Sequence, residues 1–335
     1  MVVCARRRSR WLLACVGLLL ALLELALLGL TPAPLAVRQA APLADPSGTW
    51  TTGPAMATSR TEVAAAALNG VIHVVGQYPG SSGPPGAHEV YDPRFGRWET
   101  RAPLPADLNH ACAATIDGTL YVVGGYQGTG GGVFANYAYD PATDRWSARA
   151  PLPTPRGAPT CAVVDGRLYA IGGEGRGGDT GVVEAYDPAT DAWDTSLPPM
   201  PTPRNHIAGA ALDGKIFIIG GRAARMGGLM QTHEVYDVAT RTWATAPPLP
   251  TGRSGMMATV YRGRIHVLGG EGGPATFAEH EAYDPATDAW ATYAPLPTPR
   301  HGLGVVTLDD AIYVASGGPV PGATFSNVLE IFTLP

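Results

Sequence analysis

Hydrophobic and polar positions along this chain repeat one pattern about every 48 residues: a short run of small apolar residues, a polar turn usually centred on Asp-Gly, a β-branched and aromatic run, a glycine pair, Glu-x-Tyr-Asp-Pro, a lone Trp and Pro-Leu-Pro. The last residue before each glycine position is Val75, Val123, Ile171, Ile219, Leu268 or Ala315, which makes six copies. A period in this range marks a repeat architecture. Residues 204–250 serve as a template. Residues 207–212 read as a strand of small side chains and Asp213-Gly214 as a tight hairpin turn. Residues 215–219 form a second strand of the buried type, and Gly220-Gly221 opens a variable loop reaching Met230. Residues 234–236 are a third strand, 237–240 a turn and 242–244 a fourth strand. Four antiparallel strands per unit, six times over, predict an all-β fold, a six-bladed β-propeller.

The two ends of the pattern predict how the ring shuts. Trp98, Trp146, Trp193, Trp243 and Trp290 each lie ten or eleven residues before the next unit begins. Trp50 lies ten before Arg60 and has no unit of its own, whereas the sixth unit stops at its third strand, Glu330-Ile331-Phe332. The strand around Trp50 is therefore expected to complete the last blade and leave no exposed edge. Upstream stands a separate object. Arg6, Arg7, Arg8 and Arg10 precede residues 11–30, an apolar run broken only by Glu24. It is long enough to span a bilayer, and its arginines keep the N-terminus cytoplasmic. Residues 1–30 thus read as a removed signal peptide or a retained signal anchor, residues 31–45 as a Pro/Ala-rich linker, and residues 46–335 as an extracytoplasmic propeller, secreted or membrane-anchored.

The repeat resembles the kelch family. The shared residues are Arg156, Asp165-Gly166, Gly172-Gly173, Glu184-Ala185-Tyr186-Asp187-Pro188 and Trp193, and their equivalents in the other units. The resemblance spans residues 46–335 and implies the propeller fold. It implies little about function, because kelch propellers range from protein-binding modules to sugar mutarotases and copper oxidases. Departures are Gly76-Gln77 in unit one, Ser316-Gly317 in unit six, and Leu108 where unit two should begin with Arg.

Arg60, Arg156, Arg204, Arg253 and Arg300 each lie sixteen residues before the first glycine position and would ring the central channel. They could form an anion-binding crown. The units themselves argue against it. The third strand carries Glu89, Glu184, Glu234, Glu281 and Glu330, but Tyr137 in unit two, the unit that also lacks the arginine. Joint loss from one blade points to structural Arg–Glu pairs, the guanidinium crossing a second strand that a glycine pair has cleared. Cys112 and Cys161 sit twelve and eleven residues before their glycine pairs, an offset of one that puts side chains on opposite faces of a strand. They are expected to be small buried hydrophobes and not a disulfide.

With the frame accounted for, ligand binding falls to what does not repeat: the loops after the glycine pairs and the positions beside the arginines. These give Tyr78, Tyr126, Gln127, Phe134, Glu174, Arg176, Arg222, Arg225, Met226, Glu271 and Phe277, with Asn109, His110, Asn205, His206, Ser254 and His301. His110, His206 and His301 come from units two, four and six, read as facing each other across a wide channel, so no metal site and no cofactor are expected. His73 and His266 replace aromatic residues in second strands and read as structural. A net charge of −5 with no basic stripe beyond the first ten residues argues against nucleic acid. Hydrolase and phosphate-loop motifs are absent, and no Tyr-His pair supports copper chemistry. The expectation is a monomeric, non-catalytic binding module for a protein segment or a glycan. A sugar mutarotase or epimerase is the alternative, and a galactose-oxidase-like copper enzyme a distant third.

Overall fold

The computed structural model describes residues 47–223 and 228–335. The apolar run and linker, Arg225 and Met226 lie outside the described residues. Within them the secondary structure is strand and turn, with no helix.

Each of the first five units folds into a four-stranded antiparallel sheet whose strands follow chain order from the axis outward. In blade four these are Ala208–Leu212, Lys215–Ile219, His233–Asp237 and Thr242–Thr245. Asp213 and Gly214 both have positive φ, 51° and 72°, the pair of left-handed residues that a two-residue hairpin of the favoured hand needs. The inner strands carry small side chains, as in Ala64–Leu68 and Ala208–Leu212, and pack neighbour to neighbour around the channel. Large residues sit further out. Each apolar cluster lies between two blades, as where Tyr169 and Ile171 of blade three meet Ile216, Ile218 and Tyr236 of blade four.

Blade six is assembled from both ends of the chain. Gly304–Leu308, Ala311–Ala315 and Leu329–Thr333 are joined by Thr49–Thr52, with Trp50 opposite Phe332. Trp50 also behaves like the other tryptophans of the series. Every indole N–H reaches back to a carbonyl at the exit of the preceding blade: Trp98 to Pro54, Trp146 to Ala102, Trp193 to Ala150, Trp243 to Pro198, Trp290 to Pro247 and Trp50 to Ala294, at 2.8–3.2 Å. His88, His233 and His280 donate through Nδ1 to the same carbonyls of Ala102, Pro247 and Ala294. His73 and His266 each place Nδ1 2.8 Å from Nε2 of His88 and His280. Each of these bonds lies within one blade, while the same rings pack against the next blade, His88 on Trp146, His233 on Trp290 and His280 on Trp50.

The arginines are part of the same frame. In blade four the Arg204 guanidinium lies across the end of the second strand, with Nε donating to Gly220 O (2.8 Å) and Nη2 to Ile218 O (3.0 Å). Its Nη1 meets Glu234 Oε2 at 2.5 Å, and Thr202 donates its hydroxyl to the other carboxylate oxygen (2.7 Å). The same pair joins Arg156 to Glu184 and Arg253 to Glu281 at 2.5 Å, Arg60 to Glu89 at 2.8 Å, and Arg300 to Glu330. All five arginines are fully buried, so they offer nothing to a ligand in the channel. Burial draws the guanidinium pKa down, to about 10 at Arg60, while the facing Glu89 opposes the shift. A threonine two residues before each arginine completes the set. Blade two has Ala106, Leu108 and Tyr137 at these three positions, so it lacks every member at once.

One expectation is overturned: Cys112 and Cys161 are joined by a disulfide, with Cα atoms 5.6 Å apart. The offset of one does put the two side chains on opposite faces of equivalent strands. But the cysteines lie on adjacent blades, and adjacent blades present opposite faces to each other. The offset is therefore what aims the two sulfurs together, in the cluster that also holds Leu152, Leu168 and Tyr186.

Two stability predictions follow from this frame. Glu234→Ala, which strands the buried Arg204 charge, should cost about 3–5 kcal/mol in urea denaturation; a change within error would mean the pair is not structural. Replacing both cysteines by serine removes a link of sequence separation 49 and should cost about 4 kcal/mol on the chain-entropy account, read from the same denaturation midpoints.

Candidate functional site

The channel is closed by a ring of backbone. Two residues after each unit start stand Glu62, His110, Ala158, His206, Gly255 and Gly302, and all six are left-handed, with φ between 50° and 65°. The N–H of His110 donates to Glu62 O, Ala158 to His110 O, His206 to Ala158 O, Gly255 to His206 O and Gly302 to Gly255 O, at 2.9–3.2 Å. Val63 N closes the circuit on Gly302 O (3.3 Å). Four side-chain-bearing residues held in a sparsely populated conformation mark a place where the surrounding structure imposes the geometry, a common feature of functional sites.

The collar is small and lopsided. Hydrogen-bonded neighbours stand roughly 5 Å apart, so alternate members of a six-membered ring are only about 8 Å apart, within side-chain reach. This corrects the expectation that histidines of alternate blades stand too far apart: the rings of His110 and His206 lie 4.8 Å apart, centroid to centroid. Blades one, two and four supply Glu62, His110 and His206, while Ala158, Gly255 and Gly302 leave room. At Gly302 the room is required, since a Cβ there would fall 2.6 Å from the Glu62 carboxyl carbon.

Above the collar the loops after the glycine pairs enclose a cavity of about 340 Å³. Of the residues singled out from sequence, Tyr78, Asn109, His110, Tyr126, Glu174, His206, Arg222, Glu271 and His301 line it. Arg222 bridges two of them, donating from Nη1 to Glu271 Oε1 and from Nη2 to His206 Nε2, both at 2.8 Å. The Tyr126 hydroxyl donates to Glu174 Oε2 (3.1 Å). His301 Nε2 lies 3.5 Å from both Glu62 Oε1 and Glu271 Oε2. The others are not in this cavity. Gln127 and Arg176 are exposed, Gln127 being paired through its backbone with Leu108. Ser254 is buried in a backbone bridge with Glu271. Asn205 stands behind His206, and Phe134 is exposed beside a separate groove. Phe277 packs near Gly272.

Thr61 and Glu62 also line the cavity and were missed by the sequence reading, as were the loop residues Gly128, Thr129, Gly130, Gly322 and Ala323. The signal was available: Glu62 holds the same position in unit one that His110 and His206 hold in units two and four. Glu62 Oε2 stands 3.2 Å from His110 Nε2. Burial pushes the Glu62 carboxyl up to about 7, Glu271 adding to the shift while His301 and Arg222 oppose it. Burial likewise pulls His110 down to about 3, with Arg222 and His301 acting in the same direction, and holds His206 well below its ordinary value. Near neutral pH the two collar histidines are therefore neutral acceptors.

The orientation of those acceptors is fixed. Asn109 donates its amide N–H to Gly128 O (2.8 Å), which turns Oδ1 toward His110 Nδ1 (2.6 Å). Asn205 does the same between Asp179 and His206 Nδ1. An amide oxygen only accepts, so Nδ1 carries the proton in both rings and the Nε2 lone pairs face the cavity.

A family model described as the KLHDC2/KLHL20/DRC7 Kelch-repeats domain matches residues 90–249. That match and the six blades in register around it support a kelch-repeat propeller family. Among solved structures, one titled "Structure of YjhT" is similar over 83% of this chain and 96% of its own, with a TM-score of 0.68 and 17% identity, a likeness of fold alone. The search of curated proteins found no match. Kelch propellers serve in general as interaction modules, so the question passes to the cavity.

The Glu62 carboxyl generates a pH prediction. An unfolded carboxyl titrates near 4.5 and the native one near 7, so the native state holds its proton longer and the contribution of Glu62 to stability is lost as pH rises between those values. Glu62→Gln cannot ionise. Relative to the parent it should gain up to about 3 kcal/mol between pH 4.5 and 8; equal pH profiles for the two proteins would refute the shift.

Proposed function

We propose that this kelch propeller is an extracytoplasmic, non-catalytic binding module that takes the end of a neutral glycan into the cavity above its collar. The observation that carries this reading is the make-up of the wall. Glu174, Glu271 and the Nε2 atoms of His110 and His206 are acceptors, Arg222 and Asn109 bring donors, and Tyr78 and Tyr126 add aromatic surface. Hydroxyl groups donate and accept at once, so a polyhydroxylated ring meets both sets, and its C–H faces suit tyrosine. The volume lies at the low end of the roughly 300–1,000 Å³ range of small-ligand pockets. The carboxylates outnumber the one arginine in the wall, which disfavours an acidic peptide. Two observations support a place outside the cytoplasm: the Arg-flanked apolar run at residues 11–30 and the Cys112–Cys161 disulfide, a bond that persists in oxidising compartments.

A second reading, a sugar mutarotase or epimerase, is favoured by one feature. The Glu62 carboxyl, poised near neutral pH beside a neutral histidine, is able to give and take a proton. Glycan-array binding by the purified protein separates the two. The module reading expects neutral glycans to bind, with affinity falling at least tenfold in Tyr126→Ala and Glu271→Ala and no acceleration of anomer exchange. Accelerated exchange that disappears in Glu62→Gln and His206→Ala establishes the enzyme instead. Binding of no glycan at all removes both.

A further inference from the structure

We propose that Glu62, His110 and His206 form a binding site for a divalent transition-metal ion of the zinc class, set into the collar. One ligand atom from each lies within 4.8 Å of the others. Two imidazoles and a carboxylate are the donor set of three-ligand zinc sites, which leave a fourth position open; here that position faces the cavity. Calcium and magnesium prefer all-oxygen shells and fit these donors poorly.

Proximity is not the main argument; orientation is. Both histidines give their Nδ1 proton to an asparagine whose own amide is anchored, by Gly128 O for Asn109 and by Asp179 for Asn205. Fixing the tautomer through the far nitrogen is the role that second partners play around metal-bound histidines. The Asn-His dipeptide occurs in blades two and four, the blades that place an imidazole in the collar. His301 is oriented in the same sense, with Nδ1 3.1 Å from Gly318 O and Nε2 toward Glu62. The lone pair of His110 Nε2 faces the Glu62 carboxyl at 3.2 Å, so a bound cation would take the place of the proton that otherwise joins the two.

The cation now nearest His206 is Arg222, whose Nη2 occupies the direction of the Nε2 lone pair at 2.8 Å. Arg222 is 40% exposed and has a second anchor in Glu271, so it is able to withdraw from His206 without losing its charge partner. Metal and guanidinium would compete for one lone pair. Zinc–ligand bonds of about 2.0–2.1 Å put the ligand atoms of a tetrahedral site roughly 3.4 Å apart, so the three groups must draw in by about an ångström. Side-chain rotation supplies that movement while the hydrogen-bonded ring keeps the backbone fixed.

The test is calorimetric titration of the chelator-stripped full chain with Zn²⁺ alone. The expected result is one ion per chain. Affinity should fall at least tenfold in His110→Ala, His206→Ala and Asn109→Ala, the last acting by positioning. In Arg222→Ala, which removes a half-exposed competitor and leaves the collar intact, Zn²⁺ should bind more tightly. Ca²⁺ and Mg²⁺ should not bind stoichiometrically. Absence of a stoichiometric Zn²⁺ site, equal affinity in the parent and the folded histidine variants, or weaker binding in Arg222→Ala would each overturn the proposal. Repeating the glycan measurement on stripped protein keeps this outcome separate from the glycan-binding reading, which requires no metal.

Discussion

Six sheets converge on one axis, and the space left between their inner strands governs the rest of the structure. Only small side chains fit there, which accounts for Ala64–Leu68 and Ala208–Leu212 and moves the bulky residues outward between blades. The crowding also accounts for the glycine positions. The φ of Gly173 is 102°, and a Cβ on it would lie 2.6 Å from Gly157 O, on the segment that leads into the inner strand. Where side chains are excluded, a long one from elsewhere passes through, and that passage is taken by the buried arginines.

The Arg–Glu–Thr sets and the tryptophans divide the work of holding the ring. An arginine joins the first, second and third strands within a blade, and its charge is matched by a carboxylate that a threonine also serves. A tryptophan joins its blade to the one before. Trp50 belongs to the same series although it lies 244 residues from its partner Ala294. Around blades two and three, where the arginine set is missing from one blade, a disulfide links the two inner strands. A buried ion pair by itself is weak evidence of stability, but this one recurs at equivalent positions in five blades.

The same convergence that excludes side chains from the channel brings a few of them together at its end. The collar makes a six-membered ring of identical backbone, yet its residues are not identical. Glycine or alanine at three positions and Glu62, His110 and His206 at the others turn a symmetric frame into an asymmetric cavity. Burial on that small ring shifts the Glu62 carboxyl upward and both histidines downward. Chemistry in this kelch propeller is thus generated where the repeat is broken, on a backbone that the repeat holds still.

The sequence by itself determined the frame that depends on neighbours within one unit. Strand order, hairpin turns and the Arg–Glu crossing all follow from spacing along some 48 residues. The joint loss of Arg and Glu from blade two, where Leu108 and Tyr137 stand, was legible without coordinates, as was the place of Trp50 in the tryptophan series; the threonine, replaced there by Ala106, entered only with the structure. Tertiary structure alone decided what happens between units. It reversed the meaning of the Cys112–Cys161 offset, because facing blades present opposite faces. It brought His110 to His206, and Glu62 to both, because a ring of six hydrogen-bonded segments has a radius of only about 5 Å. Spacing along a chain fixes register inside a sheet, but distances across an axis are fixed by how tightly the sheets close around it.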